Sequence, residues 1–321
     1  MEPPRQPHDL QGLLRFAIQG GATGDQEAGA ASDESRFSGM TEERRRWLEE
    51  ALKGMSVDII EELSKALRIL NPTRILCPEE DPEEMEEALE GIIDFVDSID
   101  TANDFHKIGG FFILNPCLNS PHEGLRYRVG DLIATLTQNN PYCQTHILKE
   151  NILPVLLKLL EEDNCKEARV KALYATSCLI RESAEAQGAF CECDGFSSLL
   201  RVLQSPVEKL RVKASFLLKA LCHENPDYKD TLCDMGFVEQ LVALLQREHD
   251  ATHEHLLSAL LALVEGHQRA LGECRRPIFL LKELLENRLE HVQGQDEFKE
   301  EADYCRNLLA VVFNGESSED R

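Results

Sequence analysis

Positive charge is scarce in this chain: 34 Lys and Arg stand against 58 Asp and Glu, for a formal charge of -24. A phosphate backbone is gripped by clustered cations, so the deficit excludes nucleic acid as a partner and disfavours an anionic membrane surface. Aromatic side chains make up only 6% of the residues, and the apolar–polar alternation of strands is missing. An all-helical fold follows. No apolar run reaches the length of a membrane span, and no N-terminal stretch joins a basic head to an apolar core as a secretory leader would. A soluble cytoplasmic protein is expected.

Enzyme chemistry is equally thin. There is no Gly-rich phosphate loop, no G-x-S-x-G elbow and no H-E-x-x-H zinc helix. His249, His253 and His255 with Glu254 come nearest to a metal cluster. Cys and carboxylate partners at ligand spacing are lacking beside them, so they read as polar residues opening a surface helix, and no metal or cofactor is expected. The 11 cysteines are odd in number, and Cys178 and Cys222 fall in core-like helical settings, which favours reduced thiols over a disulfide framework. Cys191 and Cys193 have one residue between them, not the two of redox and zinc motifs, and read as an ordinary loop pair.

What the chain does contain is one recurring helix. It appears as LRYRVGDLIATL from Leu125, ARVKALYATSCL from Ala168, LRVKASFLLKAL from Leu210 and, degraded, THEHLLSALLALV from Thr252. Arg126, Arg169, Arg211 and His253 follow one another at steps of 43, 42 and 42 residues, a period that suits an armadillo-like helical solenoid. Around each copy a loop residue (Gly110, Asn151, Gly195 or Gly236) opens a helix with apolar spacing, a polar break follows, and a shorter helix leads onward. Such a unit exposes an apolar face on each side and becomes stable only by stacking. Asn140-Pro141 and Asn225-Pro226 mark equivalent turns after two of the copies.

Four repeats are expected over residues 103–274, flanked by helical caps over 41–102 and 275–314. In the first cap Trp47, Leu48, Ala51 and Leu52 give one helix its apolar side, and Val57, Ile60, Leu63, Leu67 and Leu70 a second that ends at Asn71-Pro72. Between Glu79 and Asp100 lie eleven acidic residues and no Lys or Arg, yet Met85, Leu89, Ile92, Ile93 and Val96 keep helical spacing. That pattern is a helix with one acidic, solvated face. After Pro277 two closing helices carry Phe279, Leu280, Leu284 and Leu285, then Tyr304, Leu308, Leu309 and Val312. Residues 1–40 read as a flexible segment rich in Gly, Ala, Ser and Asp that carries a short Leu-rich helix near residues 10–18, and 315–321 as a disordered tail.

Placed in register, the recurring helices align Arg128, Lys171, Lys213 and His255; then Asp131, Tyr174, Phe216 and Ser258; then Thr135, Cys178, Ala220 and Ala262; and one turn later Gln138, Arg181, His223 and Glu265. Positions three and four apart share a helix face, so the copies build a ladder of basic and aromatic groups on an acidic protein. An acidic partner surface would be drawn there, and Tyr and Arg are frequent interface anchors. The competing reading packs Tyr174 and Phe216 between repeats.

The segments LQGLLRFAI at Leu10, TEERRRWLEEAL at Thr41, ARVKALYATSCLIRE at Ala168, KLRVKASFLLKAL at Lys209 and TLCDMGFVEQLVALL at Thr231 closely resemble the armadillo-type nucleotide-exchange factors of the 70-kDa heat-shock chaperone, the Fes family. The resemblance implies a monomeric co-chaperone without catalytic residues. Its concave face embraces the chaperone's ATPase domain, displaces one lobe and lets ADP leave. The family's concave positions fall on Arg128, Asp131, Lys171, Tyr174, Arg181, Lys213, Phe216 and His255. The resemblance further implies that Leu10, Leu13, Leu14, Phe16 and Ile18 mimic a client peptide in the chaperone's peptide-binding domain. In excess, such a factor inhibits the chaperone cycle. Armadillo transport receptors commonly present Trp and Asn on the recurring helix; Tyr174, Phe216, Cys178 and Ala220 stand there instead, which disfavours peptide cargo.

Overall fold

A computed structural model describes residues 59–313, and every regular element among them is helical. The expected cap helix of Trp47 and the Leu-rich segment of Leu10 to Ile18 lie outside the described residues. The helix Ile59–Ile69 buries Leu63, and Leu70 just after it is buried too, but Ile60 faces solvent. The amide of Thr73 donates to the Asn71 side chain, and Pro72 fills the first position of the next short helix, where a missing N–H costs nothing.

Six helices then form one continuous layer: α1 (Glu83–Phe95), α2 (Glu123–Thr137), α3 (Lys166–Ile180), α4 (Glu208–Glu224), α5 (His253–Val264) and α6 (Lys299–Phe313). Each packs on the next in chain order. A second row lies behind them, with helices Ile152–Glu162, Gly195–Leu203, Phe237–Leu245 and Leu281–Val292 packed on α3, α4, α5 and α6 respectively. Short helices such as Pro141–Lys149, Ala184–Glu192 and Gln268–Cys274 complete each unit. The closing segment 268–313 therefore repeats the same three-helix order as the units before it.

Local chemistry places each break. The residue entering each second-row helix has positive φ (Asn151, Asp194, Gly236 and Leu280), as does Gly109 before the 3-10 turn Gly110–Ile113 in the first unit. Two of these differ from the sequence expectation by one position. Gly110 and Gly195 are not the left-handed residues; they follow them, and a Cβ on either would strike the ring of Phe105 or Phe190. Leu280, expected on an apolar stripe, is instead left-handed and exposed.

Packing is tightest where α2 meets α3. Gly130 sits at that crossing, and a Cβ there would come within 3.0 Å of the Lys171 Cβ and 3.2 Å of its carbonyl carbon. The core runs unbroken through the stack, with Leu132, Leu136, Leu156, Leu173, Leu179, Leu218 and Leu241 all buried. Fully burying a leucine contributes about 1.5–3 kcal/mol, so each added unit stabilises its neighbour. Helix α5 is buried from Leu256 through Val264, as a helix apolar all round should be, because α6 covers its outer side.

The periodic arginines tie the loops of this stack. Arg126 donates from Nε to Asp163 Oδ2 at 2.6 Å and from Nη2 to Oδ1 at 3.0 Å, while its Nη1 reaches the carbonyls of Ser120 and Pro121. Arg211 repeats this with Asp250 and the Ser205 carbonyl, and Arg169 donates to the Leu160 carbonyl. Arg126 and Arg211 join consecutive units, Arg169 ties its own unit, and all three are held by these bonds.

Candidate partner-binding face

The ladder residues come together as the register requires, and one contact recurs at each step. Arg128 of α2 reaches Glu90 of α1 at 2.8 Å. Lys171 of α3 reaches Asp131 of α2 at 2.6 Å. Lys213 of α4 lies over the Tyr174 ring of α3, 4.5 Å from its centre. His255 of α5 stacks on Phe216 of α4 with ring centres 4.7 Å apart. The same two positions of the recurring helix thus meet three times, with α1 supplying the carboxylate for Arg128, and the receiving group changes from carboxylate to aromatic ring midway.

That change divides the face electrically. Arg128 is doubly paired, since Glu86 also takes it at 2.9 Å, and it keeps only 15% of its side chain exposed. The acidic helix α1 is therefore not a purely solvated face: two of its carboxylates neutralise the first rung. Gly124 makes room for this, because a Cβ there would overlap the Glu86 carboxylate. Lys171 is neutralised by Asp131 in the same way. Lys213 has no carboxylate within ion-pair distance among the described residues, and burial, then the charge of Lys171, lowers its pKa below the ordinary lysine value.

Phe216 is 54% exposed although it is a large apolar side chain in the middle of a helix. The reading that packs both aromatics between repeats holds in part for Tyr174, which is half-buried and donates its hydroxyl to Gln138 Oε1 at 3.1 Å. It does not hold for Phe216. Ser258 and Ala262 of the next rung are buried beside α6, so the exposed ladder ends at His255.

At the far end of the rungs a cavity of about 390 Å³ opens between α2 and α3, lined by Gln138, Gln144, Tyr174, Cys178 and Arg181. Arg181 keeps half of its side chain exposed and leans toward Glu224 Oε1 at 3.6 Å. Glu224 is held at its other oxygen by the Glu182 amide and the Gln187 side chain, so Arg181 shares its carboxylate with two closer donors. Burial, followed by the Tyr174 hydroxyl, acts on Cys178, and the balance pushes its thiol pKa up, which leaves a neutral, unreactive wall.

The three histidines that come nearest to a metal cluster each have a partner of their own, and the His249 and His253 rings lie 5.0 Å apart. His249 Nε2 meets Glu301 at 3.0 Å, buried His253 meets the Asp250 backbone and carboxylate, and His255 covers Phe216. The surface reading fails for His253, which is 2% exposed and belongs to the core. All 11 cysteines are free thiols. No helix among the described residues is long and apolar enough to cross a membrane.

Known proteins share this sequence and this fold. Residues 10–105 match the family model "Nucleotide exchange factor Fes1", and residues 101–231 match "SIL1/FES1/HPBP1 C-terminal domain". Hsp70-binding protein 1 of Homo sapiens is 40% identical over 319 residues, covering 97% of this chain and 87% of that protein. The Mus musculus protein of the same name is 39% identical over 320 residues, with the same coverage. The Hsp70 nucleotide exchange factor FES1 of Mycosarcoma maydis is 30% identical over 144 residues, 45% of this chain and 37% of that one. Among solved structures, a designed armadillo repeat protein superimposes with a TM-score of 0.63 at 17% identity, covering 78% of this chain and 99% of its own. That likeness bears on fold alone. With both family models matched in tandem and 40% identity to a relative over 97% of its own length, this chain belongs to the SIL1/FES1/HPBP1 family, on an armadillo-repeat fold.

Proposed function

We propose that this chain is a co-chaperone that binds the ATPase domain of the 70-kDa heat-shock chaperone with its ladder face and promotes exchange of ADP for ATP. The names of its relatives, Hsp70-binding protein 1 and nucleotide exchange factor FES1, support this reading. The observation that carries it onto this molecule is the exposed Phe216, capped by His255 and flanked by Lys213 without a carboxylate. An apolar side chain beside an uncompensated cation suits a partner surface that offers a carboxylate next to an apolar group. Lys213, Phe216, His255 and Arg181 are the primary contacts in this reading. Arg128, Asp131, Lys171 and Tyr174 hold the neighbouring helices in register and frame them.

No bond is made or broken by this chain, so it is not an enzyme. Its effect is linkage: a factor that prefers the open nucleotide cleft lowers ADP affinity by the same factor by which ADP lowers the factor's own. It acts in the cytoplasm as a monomer. In excess it holds the ATPase domain in the open state and inhibits the cycle. Leu10, Leu13, Leu14, Phe16 and Ile18 occupy the chaperone's peptide-binding groove and favour client release, helped by the effective concentration that tethering gives. Removing residues 1–19 should leave exchange intact and impair refolding of a client enzyme; equal loss of both would argue against a separate role.

Reciprocity supplies the direct test. Affinity for the isolated ATPase domain, measured by calorimetry without nucleotide and with saturating ADP, should fall in ADP by the factor by which this chain weakens ADP binding. Equal affinity for the two forms would overturn the reading.

A further inference from the structure

The second row of helices carries a groove that the ladder does not use. It lies between helices Phe237–Leu245 and Leu281–Val292, holds about 480 Å³, and none of the eight ladder residues lines it. That volume falls within the range of ligand clefts, about 300–1,000 Å³. Leu245, Phe279, Leu280 and Leu284 supply its apolar walls.

Leu280 is out of place for folding alone. It occupies the left-handed position that Gly109, Asn151, Asp194 and Gly236 fill in the other units, all residue types that tolerate positive φ. A branched side chain there is strained, and this one is also 58% exposed, next to Ile278 at 75%. Neither side chain gains much from burial in the free protein.

Charge identifies the occupant. Arg247 on the rim has no carboxylate within ion-pair distance among the described residues, and Arg276 lies over the Phe279 ring at 5.0 Å without one. Arg288, also on the rim, is held from below by Glu301 at 3.5 Å. Glu283 is the one acid that lines the groove. With Arg276 beside it, the groove has, among the described residues, two unpaired arginines against one lining glutamate, a local positive excess on a chain of formal charge -24, and it attracts what the rest of the surface repels.

We propose that this groove docks an extended acidic segment of a partner protein, whose aliphatic side chains lie against Phe279, Leu280 and Leu284 while its carboxylates meet Arg247 and Arg276. Such a segment binds independently of the ladder, so a partner held there leaves the ladder face available. The site is a docking surface without chemistry of its own.

Fluorescence anisotropy of the full chain with a labelled short peptide alternating aspartate and leucine tests it. Saturable binding is expected, with Arg247→Glu weakening it about tenfold, the scale of one good interfacial contact. Leu280→Gly should also weaken it while leaving the melting temperature unchanged or higher, because glycine relieves the left-handed strain. Lys213→Glu should leave it unaltered. Equal binding of a lysine–leucine or an aspartate–serine peptide overturns the proposal. So does unchanged affinity in Arg247→Glu or Leu280→Gly, or equal loss in Lys213→Glu. Oligothymidine binding as tightly as the peptide would show a bare charge effect and overturn it too.

Discussion

Lys213 holds its ammonium 4.5 Å from the centre of the Tyr174 ring, at the place where the preceding step sets Lys171 on the Asp131 carboxylate. A ring face attracts a cation but does not replace its hydration as a carboxylate does. Burial, and then Lys171, lower the Lys213 pKa, so between that value and the ordinary lysine value the unfolded chain binds more protons. Its contribution to stability therefore rises with pH through this alkaline window. Lys213→Met should remove the rise and leave the melting temperature at neutral pH nearly unchanged.

The same lysine should behave differently in a complex. A partner carboxylate favours the charged form, so association in that alkaline window should take up protons, measured by calorimetry in two buffers of different ionisation enthalpy. Lys213→Met should abolish the uptake and weaken the ATPase-domain complex about tenfold, the scale of one good interfacial contact. Uptake that persists in the variant would assign it to another group.

Arg126 and Asp163 make the counterpart at the level of folding, a two-pronged pair with Asp163 only 3% exposed. Asp163 also accepts the Cys165 amide at 2.7 Å, so it shapes the turn into α3 as well as joining two units. Removing one member of a buried pair strands the other, at about 3–5 kcal/mol. Asp163→Ala should lower the unfolding free energy, followed by urea denaturation, by about that amount. A loss below about 0.5 kcal/mol would mean that the pair behaves as a surface bridge.

These two pairs show what the sequence reveals and what it hides. The period of Arg126, Arg169 and Arg211 locates the recurring helix because each arginine holds a backbone carbonyl of the segment that leads into its own copy, and the stack follows from that repetition. The ladder register is equally legible, since residues at one position of a stacked repeat must fall in line. What each rung touches is not. Glu86 and Glu90 reach Arg128 from a helix outside the repeated motif, Glu80 and Glu84 reach Arg74, and a run of acids reads as solvated when its cations lie in other helices. Asp194 takes the left-handed turn while Gly195 draws notice, because glycine serves two purposes, positive φ and close approach, that composition alone cannot separate. Phe216 and Tyr174 occupy the same register position and each is covered by a residue of the next helix, yet Phe216 is the exposed one, while Tyr174 also bonds Gln138 at the end of the preceding helix.

Asp250 gives a pH prediction. Burial raises its pKa, but the hydroxyl and amide of Thr252, the charge of Arg211 and the His253 side chain outweigh that and bring it from 3.8 to about 2. Depressed in the folded state, it contributes stability that is complete above the unfolded value and is lost as pH falls from about 4 to about 2. The carboxylate keeps 37% of its side chain exposed, so solvent screening leaves about 1 kcal/mol of the effect. Buried His253 acts in the same direction at higher pH, because burial and Arg288 lower its pKa and the unfolded chain takes up the proton first. Asp250→Asn should narrow its stability gap to the parent protein between pH 4 and pH 2, followed by thermal melts; a constant gap would show that Asp250 acts by shape alone.

Stopped-flow release of a fluorescent ADP analogue from the 70-kDa chaperone bears most directly on the ladder face as the working surface. The intact chain should accelerate release. Phe216→Ala, whose side chain is largely exposed and whose loss should cost less than about 0.5 kcal/mol of stability, should accelerate it far less at equal concentration, and Lys213→Glu likewise. Arg247→Glu, on the other row of helices, should match the intact chain. Release by folded Phe216→Ala and Lys213→Glu at the intact rate would contradict the assignment of nucleotide exchange to this face.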